Sequence, residues 1–361
     1  MDEALPDRPR KGRGAVSNRS GRFEAHARVA VDDGWAPAEE DEPEEPRLPT
    51  RVTPERSRSV IARNDSPDVP FERSINPYRG CEHGCVYCFA RPSHAWLGLS
   101  PGLDFESRIF YKADAADCLT TELARPGYTC APVVLGANTD AYQPVERQLR
   151  VTRRVLELLE SCAHPVRVIT KSSLVERDVD LLSSMAKQGL CTVAVSITSF
   201  DTTITRALEP RATSPARRLK TVERLAAAGI PVEVPIAPVI PVLTDGELER
   251  ILEHARGAGA SGAWYTLIRL PREVADLFKS WLHLHYPLKA EHILNRIRDS
   301  RAGQDYESGF GTRMRGRGMF ADLLERRFQL AYGRLEFPGI EELDSTRFRA
   351  PVKDEAQLTL F

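Results

Sequence analysis

Three cysteines, at positions 81, 85 and 88, have the types and spacing that most directly suggest chemistry in this chain of 361 residues. They form Cys81-x3-Cys85-x2-Cys88, with an aromatic residue, Tyr87, before the third. Three thiolates can hold three irons of a cubane iron–sulfur cluster and leave the fourth iron without a protein ligand. An open coordination position is typical of a metal site that binds a substrate or cofactor. The spacing therefore predicts a metal centre that does chemistry.

The residues around the cysteines leave one alternative open, a zinc site with His83 or a distant cysteine as the fourth ligand. Zinc knuckles and ribbons usually contain two Cys-x2-Cys pairs, and the sequence has no second pair downstream. Gly80 and Gly84 flank the first two cysteines and give the backbone the freedom that a compact loop needs. The pattern thus favours an iron–sulfur cluster.

The composition is that of an ordinary soluble protein, with 42% hydrophobic residues, 28% charged residues and a formal net charge of −1. No apolar run approaches the roughly 20 residues needed to cross a bilayer. The first 22 residues are polar and basic and do not form a secretory signal. We therefore expect a cytoplasmic protein with no membrane association, and the charge gives no global argument for nucleic-acid binding.

The elements that must position the cysteines follow a charged N-terminal stretch. Residues 1–65 are poor in apolar residues and contain an acidic run at 39–46, so we predict a disordered tail. Residues 66–286 alternate between β-branched runs and amphipathic helical patterns, and we predict that they form the core domain. A C-terminal helical extension, 287–350, contains a basic loop and should pack on the core, and a flexible tail, 351–361, follows it.

Strands separated by about 30 residues and a single helix are βα units, which make a parallel sheet. We count one strand near 108–111 or just before the cysteines, and then five more. Prolines at 235, 238 and 241 predict that the strand beginning at Val232 ends near Ile236. Six such units make an α/β fold, either a partial barrel or an open doubly wound sheet, and periodicity alone does not decide between the two.

The cysteine pattern ahead of repeated βα units resembles the radical S-adenosylmethionine superfamily, over about residues 74–270. This resemblance implies a partial (β/α)6 TIM-type barrel with a 4Fe–4S cluster on Cys81, Cys85 and Cys88. It also implies that the open iron binds S-adenosylmethionine and that the reduced cluster cleaves it to a 5′-deoxyadenosyl radical, which abstracts a hydrogen atom from a substrate. A reductant such as flavodoxin or ferredoxin would be the partner.

Short polar segments at the predicted strand ends resemble one branch, the spore photoproduct lyase-like proteins. They are Gly136-Ala137-Asn138-Thr139-Asp140, Thr170-Lys171-Ser172, Ser196-Ile197-Thr198-Ser199 and Glu209-Pro210. The loops after parallel strands build the active face of such folds. The resemblance implies that the cofactor-binding residues are Tyr87, Asn138, Thr139, Lys171 and Ser196. A lysine suits a carboxylate and an aromatic ring suits the adenine. Asp140 could orient a substrate or cap a helix beginning near Pro144.

The sequence also departs from that branch. Asn138 and Phe89 align where the branch has a hydrogen-donating thiol and a tyrosine. An amide and a phenyl ring cannot easily give up a hydrogen atom. We therefore do not expect this protein to reverse thymine dimers by hydrogen donation from a thiol and a tyrosine. The substrate is unidentified, with a nucleic-acid base as the first hypothesis and Arg313, Arg315 and Arg317 as candidate phosphate contacts. The alternative function is a non-catalytic iron–sulfur or zinc module that binds a partner or nucleic acid.

Overall fold

The computed structural model describes residues 8–24, 26 and 48–352. Its strands are β1 (Arg51–Glu55), β2 (Ile61–Arg63), β3 (Arg73–Ile75), β4 (Tyr78–Arg79), β5 (Arg108–Lys112), β6 (Val133–Leu135), β7 (Val166–Thr170), β8 (Cys191–Val195), β9 (Val232–Val239) and β10 (Gly262–Leu267). Its α-helices are α1 (Leu103–Ser107), α2 (Ala115–Leu123), α3 (Glu146–Leu149), α4 (Val151–Ser161), α5 (Val179–Ala186), α6 (Thr202–Leu208), α7 (Pro215–Ala227), α8 (Leu248–Gly257), α9 (Glu273–His285), α10 (Ala290–Asp299) and α11 (Met319–Leu335). Within these residues, no helix is long and apolar enough to span a bilayer.

Seven strands form the main sheet, in the order β10-β9-β8-β7-β6-β3-β2. The six strands from β10 to β3 are parallel, and β2 pairs antiparallel with β3 at the edge. All five residues of β8 are buried, as expected for a central parallel strand covered on both faces. The helices between strands bury apolar faces against the sheet, for example Val155, Leu156 and Leu159 of α4. This architecture confirms the predicted α/β partial barrel.

Two strand predictions need correction or completion. The first strand of the parallel set is β3, just before the cysteines, whereas β5 lies in a separate three-stranded sheet between β1 and β4. The prediction that the proline-rich strand ends near Ile236 is wrong, because β9 continues to Val239. Proline lacks an N–H but keeps its carbonyl, and Pro235 O accepts from Ile197 N at 3.0 Å. The pairing register with β10 shifts between Tyr265 and Leu267, which carries the ladder past the second proline.

The predicted disorder of residues 1–65 is wrong for the parts that the structure describes. Strand β1 pairs in parallel with β5 over its whole length, and β2 joins the main sheet. Ala15 and Val16 are buried, and Val16 packs in one cluster with Val86 and Tyr87 of the loop 80–90, here called the cysteine loop. These segments are poor in apolar residues, and partners far along the chain satisfy their backbone, so a local composition rule does not detect them. The acidic run at 39–46 lies outside the described residues.

The C-terminal extension packs on the core as expected. Leu324, Phe328 and Ala331 of α11 belong to the same buried cluster as the sheet residues. Arg327 of α11 also forms an ion pair with Glu249 of α8 at 2.7 Å. Most of the proposed flexible tail, residues 353–361, lies outside the described residues.

We expect a pH-dependent loss of stability from His164, which is fully buried two residues before β7. Its Nε2 lies 2.8 Å from the Tyr128 hydroxyl, and burial, with a smaller effect of Arg73, lowers its pKa to about 4. Between about pH 4 and 6.5 the unfolded chain binds a proton at this site that the folded chain does not, so stability rises with pH in that window. The full effect is about 3 kcal/mol.

Urea unfolding from pH 4.5 to 7 checks this expectation. The stability of His164→Gln should change less with pH than that of the wild type, and His94, whose pKa burial also lowers to about 4, should preserve the remaining dependence in both proteins. An identical pH dependence in the two proteins would contradict the assignment to His164.

Candidate active site

The cysteine loop connects β4 to a 3-10 helix, Arg91–Leu97, and its two glycines have the positive φ values that the sequence suggested. Gly80 has φ +79° and Gly84 has φ +68°. A Cβ on Gly80 would lie 2.8 Å from the Phe105 carbonyl oxygen, and one on Gly84 would lie 2.7 Å from a carboxylate oxygen of Glu106. Neither contact is tolerable, so both positions require glycine for the backbone angle and for space.

The three cysteines of the loop are free thiols; Cys81 is buried and Cys85 and Cys88 are partly buried. Burial raises the pKa of all three, that of Cys85 to about 12, while the positive charge of Lys171 opposes the rise for Cys85 and Cys88. A thiol binds metal as the thiolate, so a bound metal must displace these protons. Three soft donors on one loop with a cation beside them fit the ligand set of an iron–sulfur cluster.

The zinc alternative assigned His83 or a distant cysteine to the metal as the fourth ligand, and the structure gives His83 another partner. His83 is buried, and its Nδ1 lies 3.3 Å from Asp140 Oδ2. Within the described residues, no group of three His, Cys, Asp or Glu side chains is arranged around a single ion position. Thiolates of a cubane bind different irons, so they need not converge on one point.

An ion pair between Arg91 and Glu106 packs against the inner side of the cysteine loop, and both side chains are fully buried. Arg91 also donates to the carbonyl oxygens of Cys85 at 2.9 Å and Gly84 at 3.1 Å. The Glu106 carboxylate accepts from the backbone N–H groups of Gly14 at 2.9 Å and Ala15 at 2.8 Å. No spacing rule reveals this support from the sequence, because Gly14 and Ala15 lie about 90 positions before Glu106.

The close approach of the N-terminal segment gives a testable expectation at Gly14. A Cβ on Gly14 would lie 1.8 Å from the Gly84 carbonyl oxygen, so Gly14→Ala must displace the cysteine loop. Overpacking of this kind costs about 1–3 kcal/mol or more. We expect a lower Tm and faster alkylation of Cys81, Cys85 and Cys88, measured by mass spectrometry.

The matched control is Gly246→Ala, where a Cβ would meet no atom within 4 Å and the backbone angle is ordinary. We expect the free energy of unfolding of this variant to lie within about 1 kcal/mol of the wild-type value. Its cysteines should be alkylated at the wild-type rates. Equal alkylation rates in Gly14→Ala and Gly246→Ala would show that the segment does not hold the loop.

Asp140 joins two strand ends to the cysteine loop. Its carboxylate accepts from the Thr170 hydroxyl and the Lys171 N–H, each at 2.7 Å, and it faces His83 of the loop. Burial would raise its pKa, but His83 and these hydrogen bonds lower it to about 2. The predicted helix cap is wrong, because α3 begins after Val145 without a side-chain cap. Asp140 is instead the residue that holds the ends of β6 and β7 to the loop.

The structure gives different surroundings to the polar residues predicted at the ends of β6 and β7. Asn138 is exposed, and its N–H donates to Asn76 Oδ1 at 2.8 Å. Thr139 is buried, and its hydroxyl donates to the Tyr78 carbonyl at 2.8 Å, so the fold uses that group. Lys171 Nζ makes a long hydrogen bond of 3.5 Å to the Ala237 carbonyl of β9. In the described part of the chain, Lys171 forms no ion pair within 4 Å, so its charge is available to an anion.

A buried ion pair, Glu209–Arg218, connects Tyr87 to Ser196. Glu209 belongs to the Glu209-Pro210 segment of the resemblance, whereas no sequence pattern indicated Arg218. Glu209 accepts from the hydroxyls of Tyr87 and of Thr198, and it pairs with Arg218. Arg218 also donates to the Ser196 carbonyl at 3.0 Å. Burial alone would raise the pKa of Glu209, but Arg218 and Lys171 lower it to about 2. The hydrogen bond to Glu209 therefore fixes the Tyr87 side chain within the cysteine loop.

The three arginines of the basic loop, Arg313, Arg315 and Arg317, each have an acidic neighbour within the protein. Arg313 pairs with Asp68 at 2.5 Å. Arg315 pairs with Glu325 and Arg317 pairs with Glu307, each at 3.1 Å. Each arginine thus has an acidic partner within the protein, which is the internal pairing expected of a structural loop.

Comparisons with known proteins agree with this geometry. Residues 75–255 match the family model of the Radical SAM superfamily. An uncharacterized protein of Mycobacterium tuberculosis is 37% identical over 233 residues, which is 64% of this chain and 67% of that protein. An uncharacterized protein of Methanocaldococcus jannaschii is 27% identical over 222 residues, which is 62% of this chain and 79% of that protein.

Solved structures with the same fold include spore photoproduct lyase complexed with dinucleoside spore photoproduct. The match has a TM-score of 0.56 and 16% identity and covers 80% of each chain. A variant of that lyase with bound AdoMet and dinucleoside spore photoproduct gives a TM-score of 0.55 at 17% identity, with the same coverage. At this identity the likeness concerns the fold, which is that of the spore photoproduct lyase structures. The family match covers half of the chain, which therefore belongs to the radical SAM superfamily and is a radical SAM enzyme.

Proposed function

We propose that Cys81, Cys85 and Cys88 hold a 4Fe–4S cluster, and that the enzyme uses S-adenosylmethionine to remove a hydrogen atom from a nucleic-acid base. The observation that carries the metal centre is the set of three free thiols on one glycine-dependent loop beside the strand ends. A reduced cluster held by these cysteines would supply the one electron that splits S-adenosylmethionine into methionine and the 5′-deoxyadenosyl radical needed to remove the hydrogen atom. Flavodoxin or ferredoxin is the proposed electron donor.

The residues of the chain would bind and orient the cofactor. Lys171 supplies a positive charge without an ion-pair partner in the described residues, which suits the cofactor carboxylate. Tyr87, fixed through Glu209, would offer an aromatic edge to the adenine. Ser196 directly follows β8, the strand that pairs with β7, the strand before Lys171. Asn138 would offer its exposed side-chain amide after β6, whereas the Thr139 hydroxyl, bonded to the Tyr78 carbonyl, would act by holding that segment in place. These roles are proposals that rest on placement at one edge of the sheet.

The base as substrate follows from fold likeness to spore photoproduct lyase, which has been solved with a dinucleoside spore photoproduct. The exposed position of Asn138 and the 43% exposure of Phe89, directly after Cys88, support a substrate space beside the loop. Neither side chain readily donates a hydrogen atom, so we expect the substrate radical to be resolved differently from that lyase. Membership of an enzyme superfamily leaves the alternative of a non-catalytic module without support.

Anaerobic reconstitution with iron and sulfide tests the proposal. We expect about four irons per chain. Addition of dithionite and S-adenosylmethionine should then release methionine and 5′-deoxyadenosine, measured by chromatography. Incubation with deuterated oligonucleotides should place deuterium in the 5′-deoxyadenosine. Zinc in place of iron, or a cluster that does not cleave the cofactor, would overturn the metal and cofactor assignments, and absence of deuterium transfer would overturn the substrate assignment.

A further inference from the structure

Arg269 lies two residues beyond the end of β10, and its guanidinium carbon lies 5.3 Å from the centre of the Phe89 ring. Phe89 directly follows the cluster cysteine Cys88. The carboxyl ends of the parallel strands share one edge of the sheet, so Arg269 belongs to the same edge as Lys171. The arginine thus stands beside the cysteine loop, with an aromatic ring fixing the plane of its guanidinium.

The hydrogen-bonding capacity of Arg269 is largely unused. Its NH1 donates to the sulfur of Met314 at 3.4 Å, and sulfur is a weak acceptor. Its Nε is buried and has no hydrogen-bond partner. Among the described residues it forms no ion pair within 4 Å, unlike the three arginines of the basic loop. An unpaired N–H in a buried place costs free energy, which a bound acceptor nearby can offset.

A second arginine adds positive charge at this place. Arg301 is fully buried, and its guanidinium donates to four backbone carbonyls, those of Leu267, Ile268, Thr312 and Arg313, at 2.8–3.3 Å. Burial and the neighbouring charge of Arg269 lower the pKa of Arg301 to about 10, although Glu307 acts in the opposite direction. Glu307 pairs with Arg317 through one carboxylate oxygen, and its other oxygen is buried without a hydrogen-bond partner. Arg269 and Arg301 thus place two guanidinium groups close to each other just beyond the end of β10.

We propose that Arg269 binds an oxyanion of the substrate, either a phosphate or a carboxylate, and so sets the substrate against Phe89 beside the cluster cysteines. The planar guanidinium presents paired donors that match such anions. The exposed part of the Phe89 ring offers a surface for a planar group of the same molecule, and a cation next to an aromatic ring is a common combination for nucleotides. The assignment deepens the proposed function and rests on it.

Binding of small anions tests the assignment without turnover. We would titrate the reconstituted protein with inorganic phosphate, followed by ³¹P NMR line width, and with acetate, followed by ¹³C line width. Arg269→Gln should weaken the binding of at least one anion by about tenfold or more, since hydrogen bonds to charged groups contribute about 1.5–3 kcal/mol. If Arg269→Gln weakens the binding of phosphate alone, the substrate carries a phosphate. If it weakens the binding of both phosphate and acetate, the site is a general oxyanion site.

The matched control is Arg334→Gln, the same change at an exposed arginine of α11 that pairs with Glu253. Its anion affinities should equal those of the wild type, and circular dichroism should show that Arg269→Gln is folded. Unchanged affinity for both anions in Arg269→Gln would overturn the inference, as would a loss of S-adenosylmethionine affinity in place of anion affinity. Release of 5′-deoxyadenosine by the wild type is measured separately, so a failure of the proposed function is distinguishable from a failure of this site.

Discussion

The Cys85→Ala protein is expected to lose its iron and to cleave S-adenosylmethionine more than about 100-fold more slowly than the wild type. Loss of a residue that only supports a metal ligand costs 10–100-fold in metal affinity or activity, and loss of a ligand should cost more. Cys85 lies in the middle of the loop, and its carbonyl is tied to Arg91 at 2.9 Å, so the backbone should hold its course without the thiol. The measurements are iron and sulfide content, electron paramagnetic resonance of the reduced protein, and 5′-deoxyadenosine release.

The matched control is Cys118→Ala, which removes a partly buried thiol from α2, outside the loop. The Cys118 sulfur lies 3.5 Å from the Ser57 carbonyl and 3.5 Å from Glu122, and neither of these partners belongs to the cysteine loop. This protein should keep wild-type iron content and cofactor cleavage. Retention of iron and cleavage by Cys85→Ala would refute the ligand assignment. Loss of both by Cys118→Ala would show that the assay reports general damage instead of ligation.

The parts of the fold that the sequence could predict are those governed by local patterns. The βα alternation depends on apolar periods within single elements, and it predicted the parallel sheet. Gly80 and Gly84 were predictable because a compact loop of three cysteines needs backbone angles that only glycine adopts easily. Lys171 and Ser196 were predictable as residues at strand ends, because parallel strands bring their carboxyl ends to one edge.

The residues that the sequence could not reveal act through partners far along the chain. Glu106 binds Arg91 and the amides of Gly14 and Ala15, and no periodicity connects these positions. Asp140 looked like a helix cap because an acidic residue before a helix usually is one, yet its carboxylate faces the cysteine loop. The acidic partners of the basic loop were equally hidden, since Asp68 lies about 245 positions before Arg313. Charge in a sequence thus indicates function only after the pairing is known.

Glu106→Gln should lower the free energy of unfolding by about 3–5 kcal/mol, because it leaves the buried Arg91 without a counter-charge. The amide cannot replace the carboxylate, since both oxygens of Glu106 accept hydrogen bonds. One accepts from Arg91 and from Ala15 N, and the other accepts from Gly14 N. In either orientation the amide NH2 would face an N–H donor. The change can be measured by urea unfolding.

Glu253→Gln makes the same substitution at a half-exposed glutamate whose ion pair with Arg334, at 2.7 Å, is on the surface. Such pairs contribute about 0–1 kcal/mol, so this variant should unfold almost as the wild type does. The two variants should also differ at the metal centre. Arg91 donates to the Cys85 and Gly84 carbonyls, and only Glu106→Gln removes the carboxylate that holds Arg91 in place. We therefore expect reconstituted Glu106→Gln to contain less iron and to lose its cluster faster in air. Equal stability in the two variants would mean that the Arg91–Glu106 pair is not what holds the cysteine loop in place.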